Sequence, residues 1–316
     1  MKKYLGIDLG GTNIAIGIVD ENGNILHKDS VPTNSPRTAE EIFADMTDLC
    51  FKVVKDAGFT MDDITAVGLG SPGSVNDEEG TVGGAFNLGI INANARKLIQ
   101  KKINKPVKLE NDANVAAVGE YTVNGNNSEC FVFITLGTGV GGGVIINGQL
   151  YTGFNHAGGE LGHIVIEHNG KPCTCGMDGC WEAYASVTAL ISQTKEAMEK
   201  NPDSMMHQWV KENGKVSGRT SFECAKKGDK AAQEVVDKYR YYIGVGLVSL
   251  INVFQPNILS IGGGISAEGD YLLNPIIDFV NEKCFYKGEK RPQLKIATLR
   301  NDAGIIGAAM CAAKEF

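Results

Sequence analysis

Two stretches of the chain repeat one pattern of apolar and small residues. Tyr4 to Leu26 reads YLGIDLGGTNIAIGIVDENGNIL, and Phe131 to Leu150 reads FVFITLGTGVGGGVIINGQL. Each is a β-rich run, a glycine turn, a second β run and an Asn-Gly turn, which predicts a hairpin in both places. Leu136-Gly137 follows Leu9-Gly10 by 127 residues, far beyond any solenoid period, so the echo predicts two related domains with a cleft between them. A third glycine turn, Gly262-Gly263-Gly264-Ile265-Ser266, follows the strand-like Ile258 to Ile261 and a long helical stretch reaching back toward Asp229. Helix, strand and glycine turn in that order belong to an α/β fold. The longest apolar run, Tyr241 to Phe254, carries Ser249 and Asn252 and is too short to span a bilayer, so it predicts a buried helix. Pro106 to Asn114 leaves a short strand and enters an alanine-rich helical run through Gly119-Glu120, which puts Asp112 at a strand-to-helix junction.

Composition narrows the class. With 316 residues, 43% of them hydrophobic and 21% charged, the chain is ordinary globular protein with room for two domains. A net charge of -7 without long Lys/Arg runs argues against a nucleic-acid surface and for a small-molecule partner. The apolar run after Met1-Lys2-Lys3 is broken by Asp8 and glycines, so no signal peptide is expected; the reading is a cytoplasmic protein with no membrane partner. Of eight Cys, three cluster, while Cys50, Cys130, Cys224, Cys284 and Cys311 are scattered as reduced core thiols would be.

The chemistry concentrates between Gly158 and Glu182. His163, Cys173, Cys175 and Cys180 offer one imidazole and three thiolates, the donor set of a tetrahedral zinc site with no open position and hence a structural one. Free thiols or a disulfide are the alternative, less expected without secretion signals. Glu160 precedes the ligand His163 by three residues and Glu182 follows the last Cys by two, so a loop fixed by zinc holds both acids in place, as a polyol receptor requires. Asp112 fits two roles: a helix cap, or a general base that deprotonates an attacking alcohol. Each glycine turn, taken singly, is a tight hairpin or a phosphate cradle. No G-x-x-x-x-G-K-[ST] occurs, so none is a P-loop.

The ordered set D-L-G-G-T (Asp8 to Thr12), E-N-D-A-N (Glu110 to Asn114), G-E-L-G-H, C-x-C-G-x-x-G-C-x-E and G-G-G-I-S resembles the ROK family of sugar kinases and repressors, most closely its bacterial glucokinases, from Tyr4 to the final helix. The resemblance implies an actin-like ATPase, ribonuclease H-like duplicated fold of two α/β domains. A smaller one is expected from residues 1–118 plus the C-terminal helix 302–316, and a larger one from 119–301. It implies ATP with Mg2+ as phosphoryl donor, with Asp8, Gly10, Gly11, Thr12, Asn13, Thr138 and Gly139 near the phosphates and Gly263 and Gly264 near adenosine. Asp112 is then the base, and Asn87, Asn111, Asp112, Glu160, His163 and Glu182 contact the sugar. His163, Cys173, Cys175 and Cys180 hold a structural Zn2+. A homodimer or homotetramer is expected, and glucose is the first substrate. N-acetylmannosamine, fructose or allose, or a noncatalytic sugar-sensing regulator, are the alternatives; family repressors carry an added N-terminal DNA-binding domain, for which Asp8 is expected to leave no room. Three segments depart from the usual glucokinase forms: S-P-G at Ser71 to Gly73, A-G-G-E at Ala157 to Glu160, and Asn87-Leu88-Gly89-Ile90, where Leu-Gly-Trp is usual after the Asn. The missing Trp is expected to change one wall of the sugar pocket.

Overall fold

A computed structural model describes the whole chain apart from Asn126 and the side chain of Asn87. Its strands are Lys3–Leu9 (β1), Asn13–Asp20 (β2), Ile25–Pro32 (β3), Ala66–Ser71 (β4), Ser74–Asn76 (β5), Thr81–Ala85 (β6), Ile90–Ala93 (β7), Val107–Asn111 (β8), Cys130–Leu136 (β9), Val140–Ile146 (β10), Gln149–Leu150 (β11), Ile258–Gly262 (β12) and Gln293–Ile296 (β13). Two five-stranded sheets run β3-β2-β1-β4-β8 and β11-β10-β9-β12-β13. Both follow the order third, second, first, fourth, fifth, so the repeated hairpin pattern marks a repeated topology. The second Asn-Gly turn is a true hairpin turn: Asn147 and Gly148 have φ of 51° and 75°, the left-handed pair that matches strand twist. Packing divides the chain into two compact units, Met1–Phe133 with Gly143–Gly159 and Thr298–Phe316, and Ile134–Gly142 with Glu160–Ala297; the division passes through β9 and β10.

In the first unit β1 pairs antiparallel with β2 and parallel with β4, and β4 pairs parallel with β8. Strand alternation separates two faces. Leu5, Ile7 and Leu9 bury against Ile42, Phe43 and Met46 of the helix Ala39–Asp56, whose capping box joins Thr38 and Glu41. Tyr4 faces the other way, onto Ile305, Ala309 and Ala312 of the final helix, Asp302–Glu315. That helix lies on the sheet and on the helix Asp112–Asn124 at backbone contact distance, because both surfaces are made of small residues. A Cβ at Gly307 would collide with the Val115 carbonyl, and one at Gly119 with the Ala303 carbonyl. Since a backbone carbonyl cannot rotate away, Gly307→Ala should destabilise the unit by about 1–3 kcal/mol, the usual cost of overpacking. A thermal melt within a degree of the wild type would show that the two helices separate more easily than this packing implies.

The second unit is built round the helix Lys230–Phe254, capped by the Asp229 carboxylate on the Ala232 N–H at 2.8 Å. Within the apolar run Ile243, Leu247 and Leu250 are buried as predicted, while Tyr241 and Val253 lie on an exposed face of the helix. Trp181 is wholly buried in the same core and donates from Nε1 to the Tyr242 carbonyl at 2.8 Å. No helix among the described residues is long and apolar enough to cross a membrane.

Candidate active site and metal centre

Asp8 and Asp112 stand at the carboxyl ends of two parallel strands. In register, Asp8 lies beside Gly70 of β4, and Gly70 beside Glu110 of β8, two residues before Asp112. Strands sit about 4.8 Å apart, so β1 and β8 are separated by about 10 Å with β4 between them. Asp8 feels the charge of Asp112. Burial, and secondarily the charge of Asp112, pushes the Asp8 carboxyl from its ordinary value of 3.8 up to about 6. Burial also raises Asp112, opposed by hydrogen bonds from the Ala113 N–H and the Asn111 side chain. Asp8 is further pressed by the final helix, where a Cβ at Gly304 would lie 2.5 Å from its Oδ2. A pair of crowded carboxylates at strand ends suits a ligand that brings its own divalent cation.

The capping alternative for Asp112 goes to its neighbour. Asn111 is the N-cap of the helix Asp112–Asn124, its Oδ1 accepting the Ala113 N–H at 2.9 Å and the Asn114 N–H at 3.3 Å, while its Nδ2 donates to the Gly73 carbonyl at 3.3 Å. One Asp112 oxygen, Oδ1, also accepts from the Ala113 N–H at 2.9 Å. The first-turn position leaves Asp112 at the positive end of the helix, which favours its anion.

The D-L-G-G-T turn is exposed at Gly11, Thr12 and Asn13 and held from behind. The Gly10 N–H donates to the Asn13 carbonyl at 2.9 Å. Thr33, fully buried at the end of β3, donates from Oγ1 to the Gly10 carbonyl at 2.7 Å and from N–H to the Thr12 carbonyl at 2.8 Å. Thr33 was not visible as a site residue in the sequence, because no spacing links it to the turn it braces.

Asn87 is the remaining sugar candidate of this unit, and its side chain lies outside the described residues. Elsewhere in this unit, Ser74, Asn76, Asn92, Asn155 and His156 contribute to a cavity of about 400 Å³ with no acid or Lys/Arg in its lining. Ile91 lines that cavity, whereas Ile90 points the other way into the core and is 1% exposed. Along β7, Ile90 and Ala93 are buried while Ile91 and Asn92 are exposed, so the residue at the position of the usual Trp packs in the core.

In the second unit the predicted metal ligands converge. One atom from each of His163, Cys173, Cys175 and Cys180 lies within 4.8 Å of all the others. Cys173 Sγ is 3.7 Å from His163 Nδ1, and Cys175 Sγ is 3.6 Å from Cys180 Sγ. A tetrahedral zinc, with bonds near 2.3 Å to sulfur and 2.0–2.1 Å to nitrogen, requires edges of about 3.8 Å between sulfurs and about 3.5 Å between sulfur and nitrogen. The residues fit the ion. Two backbone pairings close the loop around them: Trp181 N–H to the Ile164 carbonyl at 2.8 Å and Ile166 N–H to the Gly179 carbonyl at 2.9 Å. Gly179 has φ of 82°, and a Cβ there would strike the Glu167 carbonyl, so this loop admits only glycine. With Nδ1 toward the sulfurs, His163 has Nε2 left as an outward donor.

Glu160 is exposed immediately before the short 3-10 turn Leu161–His163. Glu182 is half-buried, with Oε2 accepting the Val140 N–H at 2.9 Å and Oε1 3.9 Å from Cys173 Sγ. The turn it grips contains Thr138 and Gly139. Gly263, with φ of 86°, abuts the same turn, since a Cβ there would strike the Leu136 carbonyl, while Gly264 and Gly137 face open space.

Motifs in this order, on a duplicated fold of this strand order, agree with a family match covering residues 4–315 to the ROK family. The chain belongs to the ROK family. This ROK protein is 37% identical over 315 residues to a glucokinase of Streptomyces coelicolor, covering 98% of this chain and 97% of the relative. It is 35% identical over 306 residues to a glucokinase of Halalkalibacterium halodurans, covering 96% and 93%. A ROK family glucokinase from Streptomyces griseus, solved with glucose and AMPPNP, superposes with a TM-score of 0.84 at 34% identity, covering 99% of both chains. The fold is therefore the actin-like ATPase fold of ROK sugar kinases.

Proposed function

We propose that this ROK protein is an ATP-dependent hexose kinase that phosphorylates O6 of glucose, with Asp112 as general base. The observation that carries the reading is the placement of Asp112: half-buried, at a helix N-terminus already capped by Asn111, with its charge acting on a second acid, Asp8. Asp112 accepts the proton of the sugar hydroxyl as that oxygen attacks the γ-phosphorus. The bond from γ-phosphorus to the β-γ bridging oxygen breaks, and ADP leaves with magnesium. Asp8 and the exposed turn Gly10, Gly11, Thr12 and Asn13 take the magnesium-bound phosphates from one side. Thr138 and Gly139 offer a second phosphate turn, and Gly263 and Gly264 an adenosine surface. The likeness to glucokinases over nearly the whole chain, one of them solved with glucose and AMPPNP, supports both substrates.

Asn87, Asn111, Glu160, His163 and Glu182 bind the sugar in this reading, the acids accepting from its hydroxyls and His163 donating from Nε2. Zinc on His163, Cys173, Cys175 and Cys180 supplies no chemistry to the transfer when bound; it fixes the loop that carries the sugar ligands. Such a protein works in the cytoplasm, where ATP is found, and as a homodimer or homotetramer.

A coupled ADP-release assay across a hexose panel tests the reading. Glucose should lead, with xylose, which lacks C6, giving no turnover. Glu160→Gln should raise the KM for glucose about tenfold with kcat little changed, because that carboxylate touches no transferred group. Loss of kcat alone, with sugar affinity intact, would assign Glu160 to the chemistry; turnover with no hexose would leave a sugar sensor.

A further inference from the structure

The L-G-T-G turn and the metal loop are fastened together at three points within the second unit. Glu182 Oε2 accepts the Val140 N–H at 2.9 Å, the Val187 N–H donates to the Gly137 carbonyl at 2.8 Å, and Thr188 Oγ1 donates to the Thr138 carbonyl at 2.7 Å. Every residue from Gly137 to Val140 except Gly139 is thus tied by a backbone atom to residues 182–188. Gly139 makes room for the fastening: a Cβ there would occupy the place of Glu182 Oε2 and lie 3.1 Å from its Cδ. On the other side, Glu182 follows Cys180 by two residues, its Oε1 is 3.9 Å from Cys173 Sγ, and Trp181 anchors the segment in the core.

We propose that Glu182 is a positioning residue for the nucleotide turn as well as a sugar ligand, so that its carboxylate couples sugar affinity to nucleotide affinity inside one unit. The inference rests on the proposed function, in which Gly137 to Gly139 meet phosphate and Glu182 meets sugar. One carboxylate then serves two loops: sugar drawing on Oε1 orders the group whose Oε2 holds the Val140 N–H, and the turn is preset for phosphate. Coupling of this kind is reciprocal, since a loosened turn must also free the carboxylate.

Gly139→Ala and Glu182→Ala test the two directions, with calorimetry of glucose alone and of magnesium-AMPPNP alone. In Gly139→Ala the new methyl meets only the end of a flexible side chain, so the fold should survive while the carboxylate is displaced. Glucose affinity should fall by about fivefold or more although no sugar-contacting residue has changed, the equivalent of about 1 kcal/mol for a hydrogen bond to a charged group. Glu182→Ala should weaken AMPPNP by a similar factor in the absence of sugar, whereas Glu182→Gln, which keeps an acceptor for Val140, should stay within about twofold. Glucose affinity unchanged in Gly139→Ala, or AMPPNP affinity unchanged in Glu182→Ala, overturns the coupling, and either arm decides alone if the other variant fails to fold. If Gly139→Ala weakens AMPPNP and leaves glucose untouched, the turn is a phosphate site and only the coupling is wrong. If neither variant alters AMPPNP binding, the phosphate role of the turn fails with it.

Discussion

Asp112→Asn should lower kcat by about 10²- to 10⁴-fold, the range spanned by a general base, while glucose affinity falls far less. Asn keeps the size of the side chain and can still accept the Ala113 N–H through Oδ1, so the strand end and the Asn111 cap have no reason to move. What disappears is a proton acceptor and a partly desolvated charge. The second loss has its own signature. Asp8 is raised to about 6 by burial and by Asp112, and moving a carboxyl from 3.8 to about 6 corresponds to about 3 kcal/mol. Because the folded value lies above the unfolded one, the folded state binds the proton more tightly. Stability associated with Asp8 is then greatest below about pH 4 and declines as pH rises toward 6. Asp112 is the smaller of the two causes, so the variant recovers the lesser part of that loss and removes a second desolvated charge besides. The variant should therefore melt above the wild type at pH 7 and converge with it near pH 4. An inactive variant with no gain at neutral pH would separate catalysis from the acid pair; a variant turning over at a near-normal rate would remove Asp112 from the role of base.

What could be read from the sequence was what is local. The cluster of one imidazole and three thiols was legible because His163, Cys173, Cys175 and Cys180 lie within one loop, where spacing alone constrains geometry. Asp112 was legible at a strand-to-helix junction, though not the division of labour in which Asn111 caps and Asp112 does not. The repeated hairpins were legible because alternation and Asn-Gly turns are short-range signals. The partnerships that make the site were not. Asp8 meets the influence of Asp112 only once β4 has paired between β1 and β8, a neighbourhood that no local spacing encodes. Glu182 reaches Val140 across 42 residues, and Thr33 reaches Gly10 across 23, by contacts that no periodicity encodes. Ile90 makes the same point about a single motif position: it is buried in the core while its neighbour Ile91 lines the cavity, a difference the motif does not encode.

Cys175→Ser should abolish metal binding, with the wild type carrying about one zinc per chain by elemental analysis. Cys175 is exposed while Cys180 is buried, so replacing its sulfur by oxygen disturbs little packing, and a large effect must come from the lost ligand. Four protein donors leave no spare to take its place. Structural zinc contributes about 10 kcal/mol or more to small sites that are unfolded without it. Here part of the loop is also fastened by Trp181 and the pairing of residues 164–166 with 179–181, so the expected result is local loosening and not global unfolding. That loosening reaches Glu160, three residues before His163, and Glu182, two after Cys180, so glucose affinity and melting temperature should fall together in the variant and on chelation of the wild type. Hydrogen exchange should rise in residues 160–182 while the strand β1 stays protected, because its core belongs to the other unit. Protein purified without chelators and found free of metal would contradict the assignment. A metal-free variant that binds glucose as the wild type does would show that the hydrogen bonds of the loop suffice to hold both acids.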